Sequence, residues 1–139
     1  MKPVQISDGG RASSQPQERL DCVVRGIAIA AGIEYAMAHA MLKVAGRKDR
    51  CRTKHPALAK IMTDMLANGI NGMVVKPAGD CGITVKRYVE EHSTGRYLLG
   101  RRGHIFAVID GVIHDLSHDV KPKGRVNRAY RFEPVDTTH

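Results

Sequence analysis

The sequence predicts a single α+β domain, with helices in its first half and an antiparallel sheet in its second half. Up to residue 91 the apolar residues recur mainly at helical spacing. After residue 95 they form short runs separated by glycine-containing turns, which is typical of antiparallel strands. Helices followed along the chain by strands indicate the α+β class. We expect the domain to span residues 17–135, with a flexible polar arm over 1–16 and a tail over 136–139.

Four helices are expected. The first is nearly all small or apolar and stops at Gly32, so it should be buried on most sides. The third has a proline in its first turn, and Thr84 can cap the fourth. The predicted spans are 22–31, 34–44, 56–68 and 85–91. The apolar residues that the second helix is expected to bury are Met37, Met41, Leu42 and Val44.

Short strands are predicted at 73–75, 96–100, 104–109, 112–116 and 129–132. Asp110-Gly111 is the strongest hairpin signal in the chain. If it forms a two-residue turn, Ile109 pairs with Val112. Counting outward then places His104 and Asp115 on one face of the hairpin as diagonal neighbours, within reach of each other, and His114 on the other face.

The length and the cysteines limit the class of protein. A chain of 139 residues, 42% of them hydrophobic, can fold around one core. The three cysteines Cys22, Cys51 and Cys81 cannot all pair with one another. No apolar run resembles a signal peptide or reaches the roughly 18 residues that span a bilayer. These features predict a soluble cytoplasmic protein with reduced thiols and no membrane partner.

The charge favours acidic partners. The formal net charge is +8, and basic residues cluster at 47–54, 96–102 and 121–131. Such clusters attract anionic molecules, including nucleic acids. Aromatic residues that could stack on bases are scarce and are not interleaved with the basic ones. A peptide or protein substrate is therefore the expected partner, and nucleic acid is the alternative.

A cysteine at a helix start is a candidate nucleophile. Cys22 opens the first predicted helix, and a helix N-terminus and a nearby imidazolium both lower a thiol pKa. His104 would take the thiol proton, and Asp115 would fix the imidazole tautomer. Gln15 or Gln17 would add a side-chain donor for the oxyanion. The neighbouring Asp21 is expected to oppose formation of the thiolate.

These residues resemble a known family. The segment Asp-Cys-Val-Val-Arg at 21–25 and the hairpin Gly-His-Ile-Phe-Ala-Val-Ile-Asp-Gly-Val-Ile-His-Asp at 103–115 resemble small papain-like cysteine peptidases, including short phage and bacterial members. The resemblance spans about residues 17–118. It implies Cys22 as nucleophile, His104 as base, Asp115 as orienting residue and Gln17 as the oxyanion donor. It also implies a helical half packed on a sheet half, with the site between them.

The resemblance implies a hydrolase of the cytoplasm, or of the host cytoplasm for a phage member, acting on an amide through an acyl-thioester. Deamidase, transglutaminase and acyltransferase chemistry share the first step and stay open. Arg101, Arg102 and Gly103 are candidates for a rim loop that binds substrate. The alternative is a catalytically inactive or non-enzymatic binding protein that uses its basic surface.

No cofactor or metal is expected. The potential zinc ligands lack any Cys-x-x-Cys motif or matched Cys/His spacing. They are Cys51, His55, Cys81, His92, His114 and His118.

Overall fold

The computed structural model describes residues 4–116 and 121–135, which form a mixed α+β fold. Its five helices are α1 Arg11–Ser14, α2 Cys22–Ala31, α3 Tyr35–Val44, α4 His55–Asn68 and α5 Val85–Glu91. Its six strands are β1 Gln5–Ile6, β2 Met73–Pro77, β3 Arg96–Arg101, β4 His104–Ile109, β5 Val112–Asp115 and β6 Val126–Pro134. None of the helices in this part of the chain could cross a membrane.

The strands form one sheet in the order β1-β5-β4-β3-β6-β2. Strand β1 runs parallel to β5, and the remaining neighbours are antiparallel. Alternate residues of the central strands face two separate apolar clusters. Ile105 and Ala107 pack with α2, α3 and α4, whereas Phe106 and Val108 pack with α5. The sheet therefore lies between three helices on one face and α5 on the other.

The four predicted helices are confirmed, with ends that differ by at most one residue. Helix α2 stops at Gly32 in the left-handed conformation, with φ of 66°, as a glycine cap allows. The hydroxyl of Thr84 accepts a hydrogen bond from the Arg87 N–H and caps α5. Eight of the ten residues of α2 are buried, so the helix that begins at Cys22 is the central helix of the domain.

Gly26 allows α2 to lie close to β3 and β4. A Cβ at this position would lie 2.8 Å from Leu98 Cδ1 and 3.6 Å from the Phe106 Cα. The first of these distances is shorter than van der Waals contact. A residue without a side chain is therefore what lets the Cys22 helix approach the strand that begins with His104.

Replacing Gly26 by valine should lower the free energy of unfolding by about 1–3 kcal/mol, because the added methyl groups overpack this contact. Urea denaturation followed by circular dichroism would measure the loss. The matched control is Gly79→Val, since a Cβ at Gly79 meets no atom within 4 Å. Equal losses in the two variants would contradict the close approach of α2.

The N-terminal segment differs from the prediction of a flexible polar arm. Gln5 and Ile6 pair with His114 and Asp115, and the Ser7 N–H donates to the Asp115 carbonyl at 3.1 Å. The carboxylate of Asp8 accepts from the N–H groups of residues 10 and 12 and so starts α1. A two-residue strand has no readable period, and its partner lies more than a hundred residues away. The strands of the C-terminal half pair antiparallel as predicted, and the parallel β1 makes the sheet mixed.

Helix α3 also differs from its prediction. Leu42 is buried, but Met37 is 56% and Val44 is 82% exposed. The buried face of α3 carries Tyr35 and His39, whose polar tips reach buried carboxylates. Because the buried face carries these two residues in place of Met37 and Val44, the helix is rotated relative to the prediction.

Candidate active site

The hairpin has the predicted register. Ile109 pairs with Val112 and Ala107 with His114, and both turn residues have positive φ, 49° at Asp110 and 74° at Gly111. Positive φ at both positions is what a type I′ turn requires. The register brings the His104 ring to Asp115, with 2.6 Å between Nε2 and Oδ2. The ring also stacks on Phe106, so its plane is fixed from two sides.

Cys22 meets this pair as the first residue of α2, and its side chain is only partly exposed. Burial alone would raise the pKa of the thiol. A hydrogen bond with His104, the N–H of Ile105 and the nearby positive charges outweigh burial, so the pKa of Cys22 is lowered. The structure thus brings all three predicted residues, Cys22, His104 and Asp115, into one connected group.

The imidazole of His104 is held in its charged form. Burial would lower its pKa, but hydrogen bonds to Asp115 and Cys22 and their negative charges raise the pKa of His104 to about 9. With Nε2 directed at Asp115, the ring leaves Nδ1 for the thiol. The charged imidazole and the thiolate therefore favour each other, and the thiolate is the form in which a cysteine acts as a nucleophile.

Asp115 accepts hydrogen bonds on both oxygens. The carboxylate is 2% exposed. Oδ1 accepts from Arg25 Nη1 at 3.0 Å and from the Leu116 N–H at 2.8 Å, while Oδ2 faces His104. Its position is therefore fixed by groups on three different segments of the chain.

Arg25 is a functional candidate that the sequence analysis did not single out. This buried guanidinium bridges Asp115 to Asp21, with 3.0 Å between Arg25 Nε and Asp21 Oδ1. Asp21 also accepts from Arg11 at 3.0 Å and from the Tyr35 hydroxyl at 2.7 Å. The expectation that Asp21 opposes the thiolate is corrected, because its charge is neutralised within this network. No local pattern marks an arginine as buried, since arginines are mostly exposed.

The structure does not bring Gln17 or Gln15 to the thiol. Both are exposed and line neither of the cavities beside Cys22. The chain turns at Leu20, which has φ of 52°, and Glu18 directs its side chain inward where Gln17 faces solvent. At the first position of α2 the Cys22 N–H needs no intrahelical acceptor, and Arg52 and Arg101 line both cavities beside the thiol.

Glu18 anchors the segment that precedes α2 to the basic loop over 47–54. Its carboxylate is buried and bonds to His39 at 2.7 Å and to Arg47 at 2.9 Å. Burial would raise the pKa of Glu18, but these bonds and two backbone N–H groups lower it to about 2. Arg47 Nε also donates to the Cys51 carbonyl, which fixes the loop that carries Arg52.

Within the described residues, one group of potential metal ligands lies close together: Glu18, His39 and Asp49, with their ligand atoms within 4.8 Å of one another. The guanidinium of Arg47 already forms an ion pair with the Glu18 carboxylate. We therefore assign the group as an ion-pair network. The predicted zinc candidates do not form such a group, and His118 lies outside the described residues.

Two cavities open at the Cys22–His104 pair. The smaller, of about 240 Å³, has an apolar part formed by Leu20, Val23, Leu58 and Ile105. The larger, of about 570 Å³, has six arginines among its 13 described lining residues. Arg101 and Gly103 line both cavities, and Arg102 lines the larger one. The predicted rim loop thus lies beside the thiol, and its role in binding substrate stays a prediction.

No protein-family model, curated protein or solved structure was found to match this chain. The assignment of function therefore depends on the chemistry of the site. A thiol with a lowered pKa, a charged imidazole and an orienting carboxylate can attack a carbonyl carbon and then return a proton to a leaving group.

Proposed function

We propose that this protein is a papain-like cysteine hydrolase that cleaves a peptide, isopeptide or related amide bond through an acyl-thioester. One observation carries the proposal: Cys22 and His104 line the same two cavities, and the buried Asp115 carboxylate holds the His104 ring at 2.6 Å. A histidine with a purely structural role would require only the Asp115 carboxylate as a partner. A cysteine with a purely structural role would require neither the histidine nor the carboxylate. The three groups together at the mouths of two cavities favour catalysis.

In the proposed reaction the Cys22 thiolate attacks the carbonyl carbon of the amide and forms a carbon–sulfur bond. The Cys22 N–H donates a hydrogen bond to the oxyanion. Collapse of the intermediate breaks the carbon–nitrogen bond, and the His104 imidazolium gives its proton to the leaving amine. His104, now neutral, takes a proton from water, whose oxygen attacks the thioester. Collapse of this second intermediate breaks the carbon–sulfur bond, releases the acid and restores the Cys22 thiolate beside the His104 imidazolium.

The fold supports the papain-like assignment through the order of its parts. The nucleophile begins a buried helix early in the chain, and the base and the orienting residue follow on a hairpin of the sheet. Two features depart from the expected pattern: neither Gln15 nor Gln17 lies at the site, and the sheet is mixed because β1 is parallel. In place of the glutamine, this site has Arg52 and Arg101 along both cavities.

The test of the proposal is the rate at which iodoacetamide alkylates Cys22 as a function of pH. A thiol of ordinary pKa, about 8.5, is about 1% ionised at pH 6.5. We expect Cys22 to react at least about tenfold faster than such a thiol at pH 6.5, because His104 holds it as a thiolate. Peptide mass spectrometry would follow Cys22 separately from Cys51 and Cys81, which are exposed and serve as internal controls.

The His104→Ala variant decides the origin of this reactivity. Without the imidazole, burial dominates at Cys22 and the fast reaction below pH 7 should disappear. A Cys22 that reacts no faster than Cys51 and Cys81, or that is unaffected by His104→Ala, would overturn the proposal. It would favour the alternative of a basic binding protein.

A further inference from the structure

The larger cavity carries a strong positive charge. Its described lining includes seven basic side chains: Arg11, Arg19, Arg25, Arg52, Arg101, Arg102 and Lys121. Among the described lining residues the one carboxylate is Asp21, which already accepts from Arg11, Arg25 and Tyr35. In this part of the lining, basic side chains therefore outnumber carboxylates by seven to one.

Three of these arginines are available to a ligand. Within residues 4–116 and 121–135, no salt bridge involves Arg19, Arg52 or Arg102. Arg52 makes only a long hydrogen bond of 3.5 Å to the Gly103 carbonyl. A guanidinium offers a planar fork of donors that matches a carboxylate. Several such forks around one cavity suit a ligand with more than one negative charge.

The smaller cavity has a different chemistry. Leu20, Val23, Leu58 and Ile105 give it an apolar wall suited to an aliphatic side chain. The Thr53 hydroxyl in its lining is buried and has no hydrogen-bond partner in the described part of the chain. A peptide backbone can supply that partner. Cys22 and His104 line both cavities, so a bound molecule that fills the two would cross the thiol.

We propose that the substrate is an acidic peptide segment, with an aliphatic side chain in the smaller cavity and carboxylate side chains in the larger one. The proposal rests on the proposed hydrolase function. Among the described lining residues of the two cavities there is no tyrosine or phenylalanine on which bases would stack. This difference favours a peptide over a nucleic acid.

The first test compares two reagents of the same reactive group, anionic iodoacetate and neutral iodoacetamide. The ratio of their rates at Cys22 cancels the thiolate fraction and reports the local charge. At low ionic strength, and relative to free N-acetylcysteine amide, we expect the ratio to be raised about threefold to tenfold. Salt should reduce the difference, because it screens the arginines.

Charge variants locate the effect. Arg19→Gln and Arg102→Gln should each reduce the ratio at Cys22 about twofold or more at low salt, and the double variant should reduce it further. The matched control is Arg87→Gln on α5, which removes the same charge from the opposite face of the sheet and should leave the ratio unchanged. Two results would overturn the proposal that carboxylate side chains bind in the larger cavity. One is a rate ratio at Cys22 equal to that of the free thiol, and the other is an equal change of this ratio in Arg87→Gln and Arg102→Gln. If the rate of Cys22 alkylation by iodoacetamide instead follows the pH dependence of an ordinary thiol, the proposed hydrolase function is overturned.

The second test identifies the ligand. A capped peptide with one leucine beside three glutamates should protect Cys22 from iodoacetamide, whereas the same peptide with lysines or glutamines should not. Arg102→Gln should weaken this protection several-fold. Protection by inorganic phosphate at equal concentration, or stronger protection by a single-stranded oligonucleotide, would overturn the peptide in favour of those ligands.

Discussion

Replacing Arg25 by alanine should lower the free energy of unfolding by about 3–5 kcal/mol, the range expected when one partner of a buried ion pair is removed. The guanidinium is buried and bonds at 3.0 Å to both Asp21 and Asp115, each of which is itself buried. Alanine would leave two carboxylates short of a donor in the interior. Urea denaturation at neutral pH would measure the change.

Two further variants make this prediction specific. Arg11 also pairs with Asp21, but its side chain is 24% exposed, so Arg11→Ala should cost only about 1 kcal/mol. Arg25→Lys keeps the charge but not the planar fork that spans two carboxylates. Its loss in free energy of unfolding should lie between those of Arg25→Ala and Arg11→Ala. Equal losses in Arg25→Ala and Arg11→Ala would show that the bridge contributes no more than a partly exposed pair.

The bridge matters for function because of what it connects. Asp21 immediately precedes Cys22 of α2, and Asp115 on β5 bonds to the His104 ring. A single side chain therefore links the helix that begins at Cys22 to the strand that holds His104 in place. Strand β1 also holds Asp115 in position, since its residues pair directly with His114 and Asp115 of β5.

The predictable parts of this fold are those set by local signals. Gly32 and Thr84 mark helix ends through their own backbone and side-chain chemistry, and both ends are where the pattern predicts them. The hairpin register follows from a two-residue turn, so His104 and Asp115 could be paired from sequence alone. The catalytic candidates share this property, since Cys22 also stands at a helix start that the sequence predicts.

The parts that sequence did not predict depend on distant partners. Arg25 and Glu18 are charged residues with no local sign of burial, and their partners lie up to 90 residues away along the chain. Gln17 was placed at the site by family resemblance, but the turn at Leu20 directs Glu18 inward instead. A charged residue is buried where the fold brings a partner to it, and that partner can be identified only in the folded chain.

The largest catalytic effect is expected for Asp115→Asn. An asparagine has one accepting oxygen and one donating NH₂ group. Asp115 must accept on both sides, from Arg25 and the Leu116 N–H on Oδ1 and from His104 on Oδ2. If the asparagine oxygen faces Arg25, its NH₂ group faces His104 Nε2 and forces the proton onto Nδ1, where the ring can no longer take the thiol proton.

The opposite orientation of the amide is also unfavourable. With its oxygen toward His104, the NH₂ group would meet two buried donors, at a cost of about 1–3 kcal/mol for the groups left unpaired. We therefore expect alkylation of Cys22 at pH 6.5 to fall about 10- to 100-fold, because the thiolate loses its charged partner. Turnover of a cleavable peptide should fall by about 10⁴-fold, as expected when the tautomer of the base is lost.

Asp115→Asn also separates a catalytic role of this carboxylate from a structural one. An unchanged Cys22 reactivity in Asp115→Asn would mean that an amide orients His104 as well as the carboxylate does. The Arg25 bridge argues against that result, because it makes the second oxygen of Asp115 an obligatory acceptor. Combining Asp115→Asn with Arg25→Met removes the competing donor, and partial recovery of Cys22 alkylation in the double variant would identify this competition as the cause.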